Sequence, residues 1–235
     1  MAFMNSIRPN SFNSDPVSAG SAINAGTARA TVLGGKVKRT FDIIFAIIGI
    51  VLLLPLLLLV AIVVKITSRG PALYGHKRIG YGGLVFKCWK FRSMMTDGKD
   101  VLERYLEAHP EEKAEWVKNR KLKNDPRVTR IGRVLRAYSI DELPQLLNVL
   151  VGEMSFVGPR PVVCDELNKY GSAAVHYLSA RPGVTGLWQI SGRSDVCYSE
   201  RITLDSQYVQ SWSFTQDCAI IARTIPAVVS AKGSY

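Results

Sequence analysis

An apolar run of 22 residues, at positions 43–64, constrains this 235-residue chain more than any other feature. The run contains no charged side chain and is rich in leucine, isoleucine and valine. As a straight α-helix it would be about 33 Å long, enough to cross a hydrocarbon core of about 30 Å. A buried core helix is the alternative, but core helices are usually shorter. The run therefore predicts a membrane segment.

Three features of the run argue against a plain membrane span. Lysines and arginines flank both ends, and the positive-inside rule then places both ends in the cytoplasm. Pro55 lies in the middle, where it removes one helical hydrogen bond and clashes with the preceding turn. Asp42 begins the run, and a carboxylate at membrane depth needs a partner. We therefore predict a re-entrant helix over residues 36–66 that breaks at Pro55 and returns to the same face, with an ordinary kinked span as the alternative.

The net charge of +11 suits two kinds of partner, nucleic acid or an anionic membrane surface. Lys and Arg exceed Asp and Glu by four in residues 1–40, by six in residues 65–97 and by four in residues 127–140. The excess in the first two segments surrounds the apolar run, and the chain has no basic–aromatic motif typical of nucleic-acid binders. The charge pattern predicts binding to anionic membrane lipid and not to nucleic acid.

The rest of the chain divides into a tail and a mixed domain. Residues 1–35 are rich in Ser, Asn, Ala and Gly without an apolar period, which predicts a disordered tail. Two strand-like runs flank the glycine-rich turn at residues 80–83, which predicts a β-hairpin. Residues 98–123, divided by Pro110, and residues 127–138 have the apolar period of amphipathic helices. Such helices lie at a membrane interface or pack on the domain. The predicted fold class is α/β, mostly helical and membrane-associated.

An adjacent carboxylate pair, Asp141 and Glu142, follows the arginine-rich helix that contains Arg136. Ser139 and Glu142 fit a capping box, which places both acids at a helix N-terminus. Carboxylates there could hold Mg²⁺ and a diphosphate, and a carboxylate can also attack phosphorus to form an aspartyl-phosphate. The guanidinium of an arginine binds phosphate in a bidentate fork. On spacing alone, however, a simple helix cap is the more frequent role of such acids.

Two downstream segments hold further arginines in constrained loops. Prolines on both sides of Arg160, at Pro159 and Pro161, fix the backbone around it, which suits ligand recognition. Arg193 follows a glycine-rich loop and is a second candidate for substrate binding. The three histidines are isolated and lack metal-ligand spacing, so we expect structural or surface roles for them.

Taken together and in order, these segments resemble the bacterial sugar transferases, the monotopic phosphoglycosyl transferases, over roughly residues 36–235. The matching motifs are Lys38-Arg39-x-x-Asp42, Lys90-Phe91-Arg92-Ser93-Met94, Asp125-Pro126-Arg127-Val128-Thr129, Leu135-Arg136-x-x-Ser139-x-Asp141-Glu142-Leu143-Pro144-Gln145-Leu146, Gly152-Glu153-Met154-Ser155-Phe156-Val157-Gly158-Pro159-Arg160-Pro161 and Arg181-Pro182-Gly183-Val184-Thr185-Gly186-Leu187-Trp188-Gln189. The family's re-entrant helix often breaks at Ser-Pro, whereas this chain has Leu54-Pro55.

The resemblance implies a reaction and the residues that perform it. A sugar-1-phosphate would move from a UDP-sugar to undecaprenyl phosphate with release of UMP, through a covalent phosphosugar intermediate and with Mg²⁺ as cofactor. Asp141 corresponds to the family's nucleophile and Glu142 to its partner, and both would bind the metal. Arg136 matches an active-site arginine, and residues 159–161 match the loop that recognises the nucleotide end. Galactose is the favoured sugar and glucose the alternative.

These expectations define an organisation for the whole chain. A disordered tail over residues 1–35 precedes a re-entrant membrane helix over residues 36–66 and a small cytoplasmic catalytic domain over residues 67–235. The resemblance implies the cytoplasmic face of a bacterial inner membrane and the first membrane step of exopolysaccharide repeat-unit assembly. A non-catalytic membrane-surface scaffold is the alternative function. The sequence leaves the oligomeric state open, with a homodimer among the assemblies.

Overall fold

The computed structural model describes residues 32–119, 122, 124–192 and 197–229, so nearly all of the predicted tail lies outside the described residues. The described chain is mostly helical, with a two-stranded antiparallel sheet and a short pair of parallel strands. Its first helix is long and apolar enough to cross a membrane. These features confirm the predicted fold class.

The helices are α1 (Gly35–Thr67), α2 (Gly98–Ala108), α3 (Pro110–Asn119), α4 (Arg130–Ala137), α5 (Gln145–Val151), α6 (Cys164–Asn168), α7 (Ala174–Leu178), α8 (Leu187–Ile190), α9 (Tyr198–Gln210) and α10 (Phe214–Val229). The strands are β1 (Leu73–Ile79), β2 (Val85–Phe91), β3 (Ser155–Val157) and β4 (Gly183–Thr185).

Helix α1 contains the whole apolar run, and it remains helical at Pro55. A proline removes a single N–H donor, so one helical hydrogen bond is lost there while the residues on both sides of it remain helical. The structure therefore describes one 33-residue helix with an internal proline, and the predicted break of the re-entrant helix at Pro55 is not formed.

One narrow face of α1 is covered by the rest of the chain and the remainder is exposed. The covered positions recur every three or four residues, as on one face of an α-helix, and the buried ones are Lys38, Asp42, Ala46, Val60 and Val64. Both ends of the helix therefore contact the same domain. The uncovered surface is almost entirely apolar, which is compatible with lipid around it.

One of the two carboxylate oxygens of Asp42 has hydrogen-bond partners, while Oδ2 is buried without a partner among the described residues. Its Oδ1 accepts hydrogen bonds from the Ser155 hydroxyl and from the backbone N–H of Phe156, each at 3.0 Å. A carboxylate in an apolar helix is stable only with such partners. The contact joins the N-terminal half of α1 to strand β3.

A second buried polar contact fixes the first turns of α1. The Lys38 ammonium forms an ion pair with Asp217 of α10 and donates a hydrogen bond to the Tyr208 hydroxyl of α9 at 3.2 Å. Asp217 also accepts hydrogen bonds from Tyr208, at 2.7 Å, and from the Trp212 indole N–H, at 3.1 Å. Every group in this cluster has a partner, so the cluster connects α1 to the C-terminal helices.

Replacing Lys38 with methionine should destabilise the protein by about 3–5 kcal/mol, because the buried Asp217 carboxylate loses its cation. Thermal unfolding in detergent measures the effect. Lys36→Met is the matched control, since Lys36 lies in the same turn region and is exposed, and it should leave the melting temperature unchanged. An unchanged melting temperature for Lys38→Met would show that the ion pair does not stabilise the fold.

Strands β1 and β2 form the predicted hairpin, with a 3₁₀ turn at Tyr81–Gly83 between them. Phe86 and Cys88 face inward and pack with Ala46 of α1 and Met154. Asn148 of α5 joins the hairpin to the core, since its side chain accepts from the Trp89 N–H at 3.0 Å and donates to the Lys87 carbonyl at 2.7 Å. This packing places the end of β2 beside the segment that contains Asp141.

The amphipathic helices form where the sequence predicts them. Helices α2 and α3 are separated at Pro110, and α4 begins after Thr129, whose side chain accepts from the Gly132 N–H at 2.9 Å. Leu106 of α2 and Leu135 of α4 are buried, so the apolar faces of these helices pack on the protein. Val134 remains 52% exposed on α4.

Candidate active site

A cleft of about 1180 Å³ opens between the hairpin, helix α4 and the loops after β3 and β4. Arg136, Asp141, Glu142 and Arg160, four of the predicted site residues, line this single cleft. Pro159, next to Arg160 in the chain, is buried. The predicted Arg193 lies outside the described residues, so its place relative to the cleft stays a prediction.

The approach of α4 to the end of β2 positions Arg136. Gly132 lies so close to the Ser93 carbonyl that an added Cβ would be 2.0 Å from that oxygen. Only glycine permits this contact. One helical turn later, the Arg136 Nε donates to the Ser93 hydroxyl at 2.9 Å. The guanidinium is therefore held at the wall of the cleft next to Asp141.

The two acids lie in a 3₁₀ turn, Ile140–Glu142, and the predicted capping box is not formed. Ser139 has a left-handed backbone, with φ of 55°, and its side chain makes no cap hydrogen bond. Its carbonyl instead accepts from the Glu142 N–H at 3.1 Å. Helix α5 begins only at Gln145, after Pro144, because proline fits the first positions of a helix but not its interior. The acids therefore precede the helix by one turn.

Asp141 is 7% exposed, and its environment raises the pKa of its carboxyl to about 6. Burial is the main cause, because a desolvated carboxylate loses the hydration that stabilises its charge. The positive charges of Lys90 and Arg136 lower the pKa, while the neighbouring Glu142 raises it further. At neutral pH, Asp141 is thus mostly ionised but more basic than an ordinary aspartate.

The pKa of Glu142 moves in the opposite direction. Burial alone would raise the pKa of Glu142, but the charges of Lys90 and Arg160 outweigh it and lower the pKa. The Lys90 Nζ lies 2.6 Å from Glu142 Oε1. Adjacent carboxyls with pKa values shifted apart are typical of sites where two acids have different tasks.

A buried carboxylate, that of Asp205, forms a hydrogen bond with the backbone of the loop of residues 159–161. Asp205 of α9 is 2% exposed, accepts a hydrogen bond from the Tyr170 hydroxyl at 2.7 Å and bonds to the backbone of Arg160. Burial raises the pKa of Asp205 to about 6. The Arg160 guanidinium lies over the ring of Trp188, at 5.2 Å from its centroid. Arg160 is therefore presented to the cleft in one orientation.

Asp141 and Glu142 are the acidic groups of the cleft that could hold a magnesium ion. Within the described ranges, no group of three or more His, Cys, Asp or Glu side chains could form a complete metal cage. Mg²⁺ usually binds through one or two carboxylates and completes its octahedron with phosphate oxygens and water. Asp141 and Glu142, side by side in a cleft rich in arginine, suit that arrangement.

Sequence reasoning missed two side chains of the site. Lys90 lies in the motif Lys90-Phe91-Arg92-Ser93-Met94, which resembles the family as a whole without giving Lys90 a role of its own. Its contact with Glu142 depends on the packing of β2 against the 3₁₀ turn. Asp205 lies in a segment without any motif, and only its burial beneath the loop of residues 159–161 identifies it. The one signal that could have identified Lys90 is its closeness to Asp141 and Glu142, and that closeness exists only in the folded protein.

The chain belongs to the bacterial sugar transferase family, whose sequence model matches residues 33–231. It is 54% identical to the exopolysaccharide production protein ExoY of Rhizobium meliloti strain 1021, over 89% of this chain and 92% of that protein. It is 49% identical to the undecaprenyl-phosphate galactose phosphotransferase of Salmonella typhimurium, over 84% of this chain and 41% of that protein. A UDP-glucose:undecaprenyl-phosphate glucose-1-phosphate transferase of Caulobacter vibrioides is 40% identical, over 84% of this chain and 72% of its own length.

Proposed function

We propose that this protein transfers a sugar-1-phosphate from a UDP-sugar to undecaprenyl phosphate, as the first membrane step of exopolysaccharide repeat-unit assembly. The observation that carries the proposal is the buried Asp141 beside Glu142, which pairs with Lys90, in a cleft that Arg136 and Arg160 also line. The names of the Salmonella and Caulobacter relatives support the acceptor, and that of the Rhizobium relative supports the pathway.

In the first half-reaction, an Asp141 oxygen attacks the phosphorus that bears the sugar. The bond from that phosphorus to the oxygen bridging the two phosphates breaks, and UMP leaves with the electron pair. A raised pKa makes Asp141 a better nucleophile than an ordinary aspartate while leaving it mostly ionised at neutral pH. Arg136 and Arg160 have the fork geometry that binds the diphosphate.

In the second half-reaction, a phosphate oxygen of undecaprenyl phosphate attacks the same phosphorus. The bond between the phosphorus and Asp141 breaks, which regenerates the carboxylate and gives undecaprenyl-diphospho-sugar. Glu142, kept ionised by Lys90, is suited to hold a cation rather than to donate a proton. Kinetics of the ping-pong type follow from the covalent step.

Asp141 and Glu142 would hold Mg²⁺ together with the donor diphosphate. When bound, the ion neutralises charge that develops on the transferred phosphoryl group and on UMP. The cofactor requirement is a proposal that omission of Mg²⁺ or addition of EDTA tests directly.

Release of UMP tests the function. Purified protein in lipid nanodiscs receives Mg²⁺, undecaprenyl phosphate and either UDP-galactose or UDP-glucose. We expect UMP with UDP-galactose and little with UDP-glucose, because the galactose-named relative is the more similar of the two transferases compared above. Release of UMP from UDP-glucose but not from UDP-galactose would show that glucose is the sugar transferred. If none of a panel of UDP-sugars released UMP, the proposed reaction would be contradicted.

Both ends of α1 should lie on the cytoplasmic side, because Lys38 and Val64 at its two ends are buried against the same domain. Membrane-impermeant maleimide labelling of right-side-out and inside-out vesicles measures this. Cys164, Cys197 and Cys218 are exposed and report the domain, and Ser18→Cys, in a background where these three cysteines are serine, reports the N-terminal side. Labelling of the two positions from opposite sides would show that α1 spans the membrane.

A further inference from the structure

Ser139 is the one residue other than glycine with a left-handed backbone in the described part of the chain, with φ of 55°. The other described residues with positive φ are all glycines, among them Gly152, which ends α5. For a residue with a Cβ this conformation is strained, because the Cβ approaches the backbone carbonyl. Strain of this kind persists where the side chain or its position has a use.

Glycine would suit the backbone at this position better than serine. Helix α4 ends at Ala137, Tyr138 is its C-cap, and Ser139 occupies the next position, where a left-handed glycine most often ends a helix. The Ser139 N–H bonds to the Arg136 carbonyl at 3.1 Å, and its carbonyl accepts from Glu142. Both bonds are made by the backbone, so a glycine could make them equally well.

The hydroxyl of Ser139 makes no hydrogen bond within the described residues. It does not cap the 3₁₀ turn that follows, which is the ordinary structural use of a serine at this place. Ser139 lines the same cleft as Arg136, Asp141 and Glu142. The residue therefore combines a conformation that favours glycine with an unused donor beside the nucleophile.

We propose that the Ser139 hydroxyl binds the phosphoryl group that Asp141 attacks, donating a hydrogen bond to one of its non-bridging oxygens. This inference rests on the proposed function. The hydroxyl keeps its proton throughout, so the step adds a neutral donor to a site whose other phosphate-binding groups are charged. A donor fixed by the fold stabilises charge that increases on the phosphoryl oxygens in the transition state.

Two variants, Ser139→Gly and Ser139→Ala, separate the hydroxyl from the backbone. Each is compared with wild type by thermal unfolding and by UMP release at saturating and at limiting UDP-sugar. Ser139→Gly should raise the melting temperature by about 2–4 °C, because the strain is relieved. Ser139→Ala keeps the Cβ and the strain, so it should show no such gain. Both variants should lower kcat about 10- to 100-fold with a smaller change in KM, since each removes one hydrogen bond to a charged group.

The outcomes distinguish the proposal from a role of the backbone alone. Full activity in both variants would overturn it. Full activity in Ser139→Ala with loss in Ser139→Gly would also overturn it, because stiffness of the turn would then be the cause. If wild type released no UMP, the proposed function itself would fail, whereas activity in wild type with no effect of either variant would refute Ser139 alone.

Discussion

Replacing Asp141 with asparagine should lower UMP release by a factor on the order of 10⁴ or more while the protein remains folded. Asparagine has nearly the same shape as aspartate but cannot attack phosphorus, so the first half-reaction is lost. Intact-mass spectrometry without acceptor tests the same step, since wild type should gain the mass of one sugar-phosphate and the variant should gain none. Asp165→Asn, at an exposed aspartate of α6, is the matched control and should keep full activity.

The same variant should be more stable than wild type at neutral pH. The pKa of Asp141 rises from 3.8 to about 6 on folding, so its ionised form is disfavoured in the native state by up to about 3 kcal/mol. The cost is fully present above the folded pKa, decreases as the pH falls from about 6 toward 4, and is absent below the unfolded pKa. Asp141→Asn should therefore raise the melting temperature of metal-free protein at pH 7.5 but not at pH 3.5. An equal melting temperature at pH 7.5 would contradict the buried environment of Asp141.

Replacing Lys90 with methionine should produce the second large loss of activity, at least about 10-fold at pH 7. Lys90 is the nearest cation to Glu142, and its charge lowers the pKa of both acids. Without it both pKa values rise, so a smaller fraction of Asp141 is ionised at neutral pH. The acid limb of the pH–rate profile should therefore move to higher pH, and part of the lost rate should return at pH 8.5–9.

Lys87 provides a matched control on the same strand. It is exposed on the outer face of β2, and Lys87→Met removes an equal charge and length at a distance from the acids. This variant should keep the wild-type pH profile. If Lys90→Met lowered the rate equally at every pH, Lys90 would act by contacting substrate, and the proposed effect on the carboxyl pKa values would be wrong.

Local patterns in the sequence predicted much of the fold. The apolar run, the glycine-rich turn at residues 80–83 and Pro110 each act on neighbouring residues, and the structure has a long helix, a hairpin turn and a helix boundary at these places. The predicted capping box of Ser139 and Glu142 does not form, and the reason is also a neighbouring residue. Ser139 has the right spacing from Glu142, but Pro144 delays the helix until Gln145, so there is no helix N-terminus for the serine to cap.

For the candidate site too, the sequence predicted some features and missed others. The motifs identified Arg136, Asp141, Glu142 and Arg160 as residues that could bind phosphate and metal or attack phosphorus, because those abilities belong to the side chains themselves. The sequence also predicted that Asp42 needs a partner, but not that Ser155 and the Phe156 N–H supply it. Partners distant in sequence depend on packing.

The sequence by itself determined the membrane-associated class of this protein and the chemistry available to it, since hydrophobic length, net charge and side-chain type do not depend on folding. Only the tertiary structure decided how that chemistry is tuned. Burial raises the pKa of Asp141, and the approach of Lys90 lowers that of Glu142. Both effects depend on distance and solvent exclusion, which exist only once the hairpin packs against the turn that contains the two acids.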